Sequence, residues 1–173
     1  MNDELKDKLK KIKCLVLDID GTMTDGSLYY DGRGEVMKRF SVRDGMGIVL
    51  LKKAGFSTAF LTAETTPIVE KRAEKLKIDV VIQGSHNKTD DLIGITQKLG
   101  IKLEEIAYVG DDVNDLYAMK MSGFSASPND AYHFIKNSVD YVCEHNGGNG
   151  AVREVCEMIL IANNKNILLD ENW

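Results

Sequence analysis

Short apolar runs alternate with amphipathic stretches of helical period along most of this 173-residue chain. The runs Lys13 to Leu17, Ser57 to Leu61, Val80 to Gln83 and Ile106 to Val109 read as buried strands, because nothing in them alternates toward solvent. Phe124 to Ser127 and Tyr141 to Cys143 read as shorter strands near the edge. Between them the spacing predicts helices over Gly45 to Ala54, Pro67 to Leu76, Lys88 to Leu99, Asn114 to Ser122 and Gly150 to Ala162. Ile68, Val69, Ala73 and Leu76 share one face of the second of these. Gly55, Gly100 and Gly123 stand where a helix must stop. Helix-sized connections between apolar strands imply a parallel sheet with helices on both faces, an α/β doubly wound, Rossmann-like architecture. Ligands of such sheets gather at the carboxyl ends of the strands.

Three segments stand outside the alternation. Ser27 to Tyr30 and Glu35 to Phe40 flank Asp31-Gly32-Arg33-Gly34 and predict a hairpin whose turn type stays open. It follows the first strand directly, which places it as a flap over the strand ends. Met1 to Lys13 is polar and Lys-rich, fitting a short amphipathic helix and no secretory leader. The tail, Asn163 to Trp173, is polar apart from Ile167 to Leu169 and the terminal Trp. One domain spanning residues 1–173 is expected from the length.

Composition narrows the function classes. A net charge of −5 and a pI of about 5.2 argue against a nucleic-acid surface. No apolar run is long enough for a membrane span. Cys14, Cys143 and Cys156 are isolated and in apolar or mixed surroundings, which predicts reduced, buried thiols in a cytoplasmic protein.

The chemistry starts at Asp18-Ile19-Asp20-Gly21-Thr22. Residues two apart on a strand share a face, so two carboxylates meet at the end of the first buried strand. They repel unless a cation or a shared proton intervenes. Asp-x-Asp-Gly also occurs in calcium loops and plain turns, but an EF-hand needs a closing Glu where this chain has Tyr29. Thr62 ends the second strand, Lys88 follows the third, and Asp111 and Asp112 end the fourth, with Asn114 and Asp115 beyond. Singly, Thr62 and Asp112 read as helix caps and Lys88 as a solvated residue. Jointly they suit phosphoryl transfer from a monoester. Asp18 is the candidate nucleophile and Asp20 the acid/base. Thr62 and Lys88 are placed to hold phosphoryl oxygens. Mg2+ suits Asp18, Asp111 and the carbonyl of Asp20. Asn114 and Asp115 are expected to orient Lys88 and the metal's waters.

With these residues the chain resembles the haloacid dehalogenase superfamily of aspartate-nucleophile phosphatases. It is similar, more narrowly, to the capless phosphatases of 2-keto-3-deoxy sugar acid phosphates, those of 3-deoxy-D-manno-octulosonate 8-phosphate and of nine-carbon nonulosonate 9-phosphates. The narrower likeness lies in Phe40 to Ile48, Tyr108 to Asp112 and Gly147 to Glu154. It implies a homotetramer in which hairpin flaps form a central barrel and a neighbour covers each site. Leu28, Tyr30, Val36 and Met37 then become interface. It also implies that Ser41, Val42, Arg43, Asp44 and Gly45 form a substrate-binding stretch, with Arg43 on a carboxylate and Arg72 near the sugar acid. Arg153 fits phosphate or subunit contacts as well as a surface ion pair. Two departures stand out: Thr62-Ala63-Glu64 where octulosonate enzymes carry Thr-Gly-Arg, and Val49 where a further Arg is usual. Glu64 followed by Lys75 is closer to the nonulosonate pattern.

Other classes fit less well. A mutase or kinase-like transferase needs a larger cap to keep water off the intermediate. A regulatory domain allied to a nucleotide-sugar synthetase would have lost acids that this chain keeps. A receiver domain would lack the paired Asp18 and Asp20 and the hairpin.

Overall fold

The computed structural model describes residues 1–168, in chain order α1 (Asp3–Leu9), β1 (Cys14–Leu17), β2 (Tyr29–Asp31), β3 (Gly34–Met37), α2 (Val42–Lys53), β4 (Ser57–Leu61), α3 (Pro67–Leu76), β5 (Val80–Ile82), α4 (Lys88–Leu99), a 3-10 turn (Leu103–Glu105), β6 (Ile106–Val109), α5 (Leu116–Met121), β7 (Phe124–Ser127), α6 (His133–Lys136), β8 (Tyr141–Val142) and α7 (Ala151–Ala162). Six strands form one parallel sheet in the order β5-β4-β1-β6-β7-β8. The chain winds outward from β1 to β5 on one side, then crosses to β6 on the other. The carboxyl end of β1 is therefore the switch point where a crevice opens.

Strand alternation sorts the core into two layers. Leu15, Leu17, Phe60, Ala107 and Val109 face α1, α2, α3 and α7. Cys14, Val16, Ala59, Leu61, Ile106 and Tyr108 face α4, α5 and α6. Leu17 pairs with Phe60 and with Val109, so Asp18, Thr62 and Asp111 emerge together at one edge. The doubly wound sheet expected from the sequence is the architecture found.

Several boundaries move. The helix expected from Gly45 begins at Val42, because the Ser41 hydroxyl accepts hydrogen bonds from the backbone of Arg43 and Asp44 and caps it. Gly47 then lets α2 approach α7, since a Cβ there would lie 3.0 Å from the Arg153 Cα. The hairpin strands are shorter than expected and pair antiparallel around a bulge. Leu28, Tyr29, Tyr30, Val36 and Met37 stand out into solvent on it, Tyr30 at 64% exposure. The part of the tail that ends in Trp173 lies outside the described residues. Among the described residues no helix is long and apolar enough to cross a membrane.

Candidate active site

Asp18, directly after β1, extends the ladder by donating its backbone N–H to the Val109 carbonyl at 3.0 Å. Its carboxylate is almost wholly buried, and the Lys88 Nζ donates to its Oδ1 at 2.6 Å. Lys88 opens α4, which Asn87 caps, and points inward under the sheet edge. The same ammonium donates to Asp115 Oδ1, also at 2.6 Å. Asp115 is fully buried and further accepts from the Tyr108 hydroxyl at 2.7 Å and from the Asp111 N–H at 3.3 Å. The Thr22 hydroxyl donates to Asp111 Oδ1 at 3.3 Å. Gly21 turns the chain away at φ +87°, and a Cβ there would collide with the Asp111 carboxylate at 2.0 Å. Only glycine leaves room for this approach.

The electrostatics follow from burial. Loss of water pushes the Asp18 carboxyl well above the usual range; Asp115 and Asp111 add to the rise and Lys88 opposes it. Burial, with the charge of Asp115, pushes Asp111 up to about 7. Burial works against the Lys88 charge, but Asp18 and Asp115 outweigh it and hold Lys88 above its ordinary value. Two carboxyls raised together, with oxygen-only donors, are what a hard divalent cation would relieve. Oxygens of Asp18, Asp111 and Asp115 all lie within 4.8 Å of one another. Both Asp115 oxygens already accept hydrogen bonds, so the carboxylates that fit as ligands are those of Asp18 and Asp111.

A cleft of about 250 Å³ opens above, lined by Asp18, Asp20, Thr62, Ala63, Glu64, Asp111, Asp112, Val113 and Asn114. The structure thus brings together Asp18, Asp20, Thr62, Glu64 and Asp111, with Lys88 beneath. Asn114 is exposed on the cleft wall, and the group that orients Lys88 is Asp115.

The stretch Ser41 to Gly45 is placed differently from its expected role in substrate binding. None of the five lines the cleft. The Ser41 hydroxyl is spent on capping. Asp44 is fully buried and accepts from the backbone N–H groups of Gly150 and Arg153, tying α2 to the start of α7. Gly45 is buried against Arg72, and Val42 is exposed. Arg43 lies on a separate cleft with His145, Asn149 and Arg153. Arg72 also turns from the site: it donates to the Ser41 carbonyl at 2.9 Å and lies 5.2 Å over the Phe40 ring. Arg153 pairs with Glu157 at 2.6 Å.

Two site residues escaped the sequence. Tyr108 sat inside a buried strand, where its hydroxyl alone signalled a need for a polar partner. Lys38 looked like a flap residue, yet its Nζ donates to Asp20 Oδ1 at 2.6 Å. Its inward position between the exposed Met37 and Arg39 is the signal alternation offered.

The sheet, the paired aspartates and the buried lysine are those of a haloacid dehalogenase-like hydrolase, and the family profile of that description matches residues 58–155. The chain belongs to this family. A 3-deoxy-D-manno-octulosonate 8-phosphate phosphatase of Haemophilus influenzae is 39% identical over 96% of this chain and 92% of its own length. The Escherichia coli K12 protein of the same name is 40% identical over 95% and 86%. Among solved structures, a cobalt-bound deoxy-D-mannose-octulosonate 8-phosphate phosphatase from H. influenzae superposes with a TM-score of 0.89 at 40% identity, covering 91% of this chain and 92% of that one. The Moraxella catarrhalis phosphatase, solved with magnesium, phosphate and the sugar acid, gives 0.91 at 41%, covering 95% and 94%. The chain is a phosphoric monoester hydrolase.

Proposed function

We propose that this enzyme is a Mg2+-dependent phosphatase of 2-keto-3-deoxy sugar acid phosphates, with 3-deoxy-D-manno-octulosonate 8-phosphate as its substrate. The observation that carries the reaction is the convergence of Asp18, Asp20, Thr62 and Asp111 on one cleft with Lys88 bound to Asp18 beneath it. The substrate rests on the names of relatives that match nearly the whole chain.

Asp18 attacks phosphorus through a carboxylate oxygen, the ester P–O bond breaks, and Asp20 gives its proton to the departing alkoxide. Water then attacks the aspartyl-phosphate, Asp20 takes its proton, and inorganic phosphate leaves. Thr62 and Lys88 hold the phosphoryl oxygens, and Asp115 with Tyr108 keeps Lys88 in place. A divalent cation held by Asp18, Asp111 and the Asp20 carbonyl would neutralise phosphoryl charge.

A second substrate, a nonulosonate 9-phosphate, is favoured by Glu64. It lines the cleft where octulosonate enzymes carry Arg, and a carboxylate there accepts from a sugar hydroxyl or amine. Lys75, the other residue of that pattern, lies on a separate groove with Val49 and Lys52. A phosphate-release assay on both sugar acid phosphates decides. A kcat/KM about tenfold higher for the octulosonate supports the first reading, a margin of about 1.4 kcal/mol. A reversed preference that Glu64→Arg abolishes establishes the second; release from neither sinks both.

The exposed apolar flap supports a homotetramer in which flaps meet and each neighbour closes a site.

A further inference from the structure

Lys38 stands at the foot of the flap, just past β3. Its side chain is fully buried, which is costly for an ammonium without partners. The partners are Asp20 Oδ1 at 2.6 Å and Glu35 Oε1 at 3.2 Å. The foot is pinned around it. Thr24 and Phe40 form an antiparallel bridge, and the Arg39 Nη1 donates to Asp25 Oδ2 at 3.3 Å and to the Gly148 carbonyl at 3.4 Å. Asp20 Oδ2 is also buried and has no hydrogen-bond partner among the described residues. One oxygen of Asp20 is therefore anchored and the other is buried and unpaired, on a side chain that lines the reaction cleft.

We propose that Lys38 is a positioning residue for proton transfer: it grips Asp20 by Oδ1 and so fixes the aim of the carboxyl that gives its proton to the leaving oxygen. The inference rests on Asp20 being the acid/base. Two lysines divide the site, Lys88 holding the nucleophile and Lys38 the acid. Because Lys38 is carried by the flap, the flap's seating and the acid's aim become one event. A lysine that merely stapled the hairpin would affect every substrate alike. One that aims the acid matters most where the leaving group is a poor one.

The test compares kcat/KM for 3-deoxy-D-manno-octulosonate 8-phosphate, which leaves as a primary alkoxide, with p-nitrophenyl phosphate, which leaves as a stabilised phenolate. Lys38→Met should lower the first by about 100-fold and the second by less than about fivefold, within the range of general acid catalysis. Lys38→Arg, which can still donate to Asp20, should restore most of the loss. Equal losses on both substrates, or no loss, overturn the proposal. Asp20→Asn, run alongside, should show the same leaving-group dependence. If Asp20→Asn shows it and Lys38→Met does not, the positioning role alone falls. If neither shows it, the acid/base assignment falls and takes the positioning role with it.

Discussion

At the residue scale the site is a set of buried charges that stabilise one another. Lys88 is nearly inaccessible and touches two carboxylates, Asp18 and Asp115. Removing one member of a buried pair typically costs about 3–5 kcal/mol, because the remaining charge has no partner. Lys88→Met should therefore destabilise the fold by about that amount at pH 8, read by urea unfolding in EDTA. Burial raises the folded-state carboxyl of Asp18 above its unfolded value, so an unpaired Asp18 costs stability as pH rises and not once it is protonated. The loss should shrink at pH 5, and an equal loss at both pH values would contradict the pairing. Asp18, Asp20, Thr62, Lys88 and Asp111 were legible in the sequence because each follows an apolar strand, where topology must gather them. Lys38 was not legible: it is distant from the other residues in pattern, and only the hairpin's return brings it to Asp20.

At the element scale, the flap and the helix starts separate what the sequence specified from what it left open. The strands were readable because their burial on both faces leaves unbroken apolar runs. The start of α2 was not, because Ser41 can cap a helix or contact a ligand and sequence does not choose between them. Burial decided for Asp44, whose carboxylate serves the start of α7. The flap exposes Tyr30 and Met37, which nothing among the described residues covers. The double variant Tyr30→Asp, Met37→Asp should convert the proposed tetramer to monomers in sedimentation velocity while leaving the circular dichroism unchanged. An unchanged sedimentation coefficient would remove the flap from the interface.

For the whole molecule, the doubly wound sheet puts like charges at its switch point and leaves a cation to balance them. Asp111 is pushed up to about 7, so a cation binding there must displace a proton when the pH is lower. Mg2+ affinity, measured by titration calorimetry, should rise by at least about tenfold per pH unit below 7, since the Asp18 carboxyl is raised as well. A flat profile between pH 6 and 8 would show that the carboxyls are already ionised without metal. The global fold was the most legible feature, since alternating apolar strands and amphipathic helices permit few arrangements. Substrate length was the least legible, because Glu64 is one residue and Arg43 and Arg72 point elsewhere within the protomer.

The central claim is that Asp18 carries the phosphoryl group. Acid quenching within the first turnover of 32P-labelled 3-deoxy-D-manno-octulosonate 8-phosphate, followed by proteolysis, tests it directly. Label on the peptide that contains Asp18, absent in Asp18→Asn, is the predicted result. Release of phosphate with no labelled peptide, or turnover by Asp18→Asn, would contradict it.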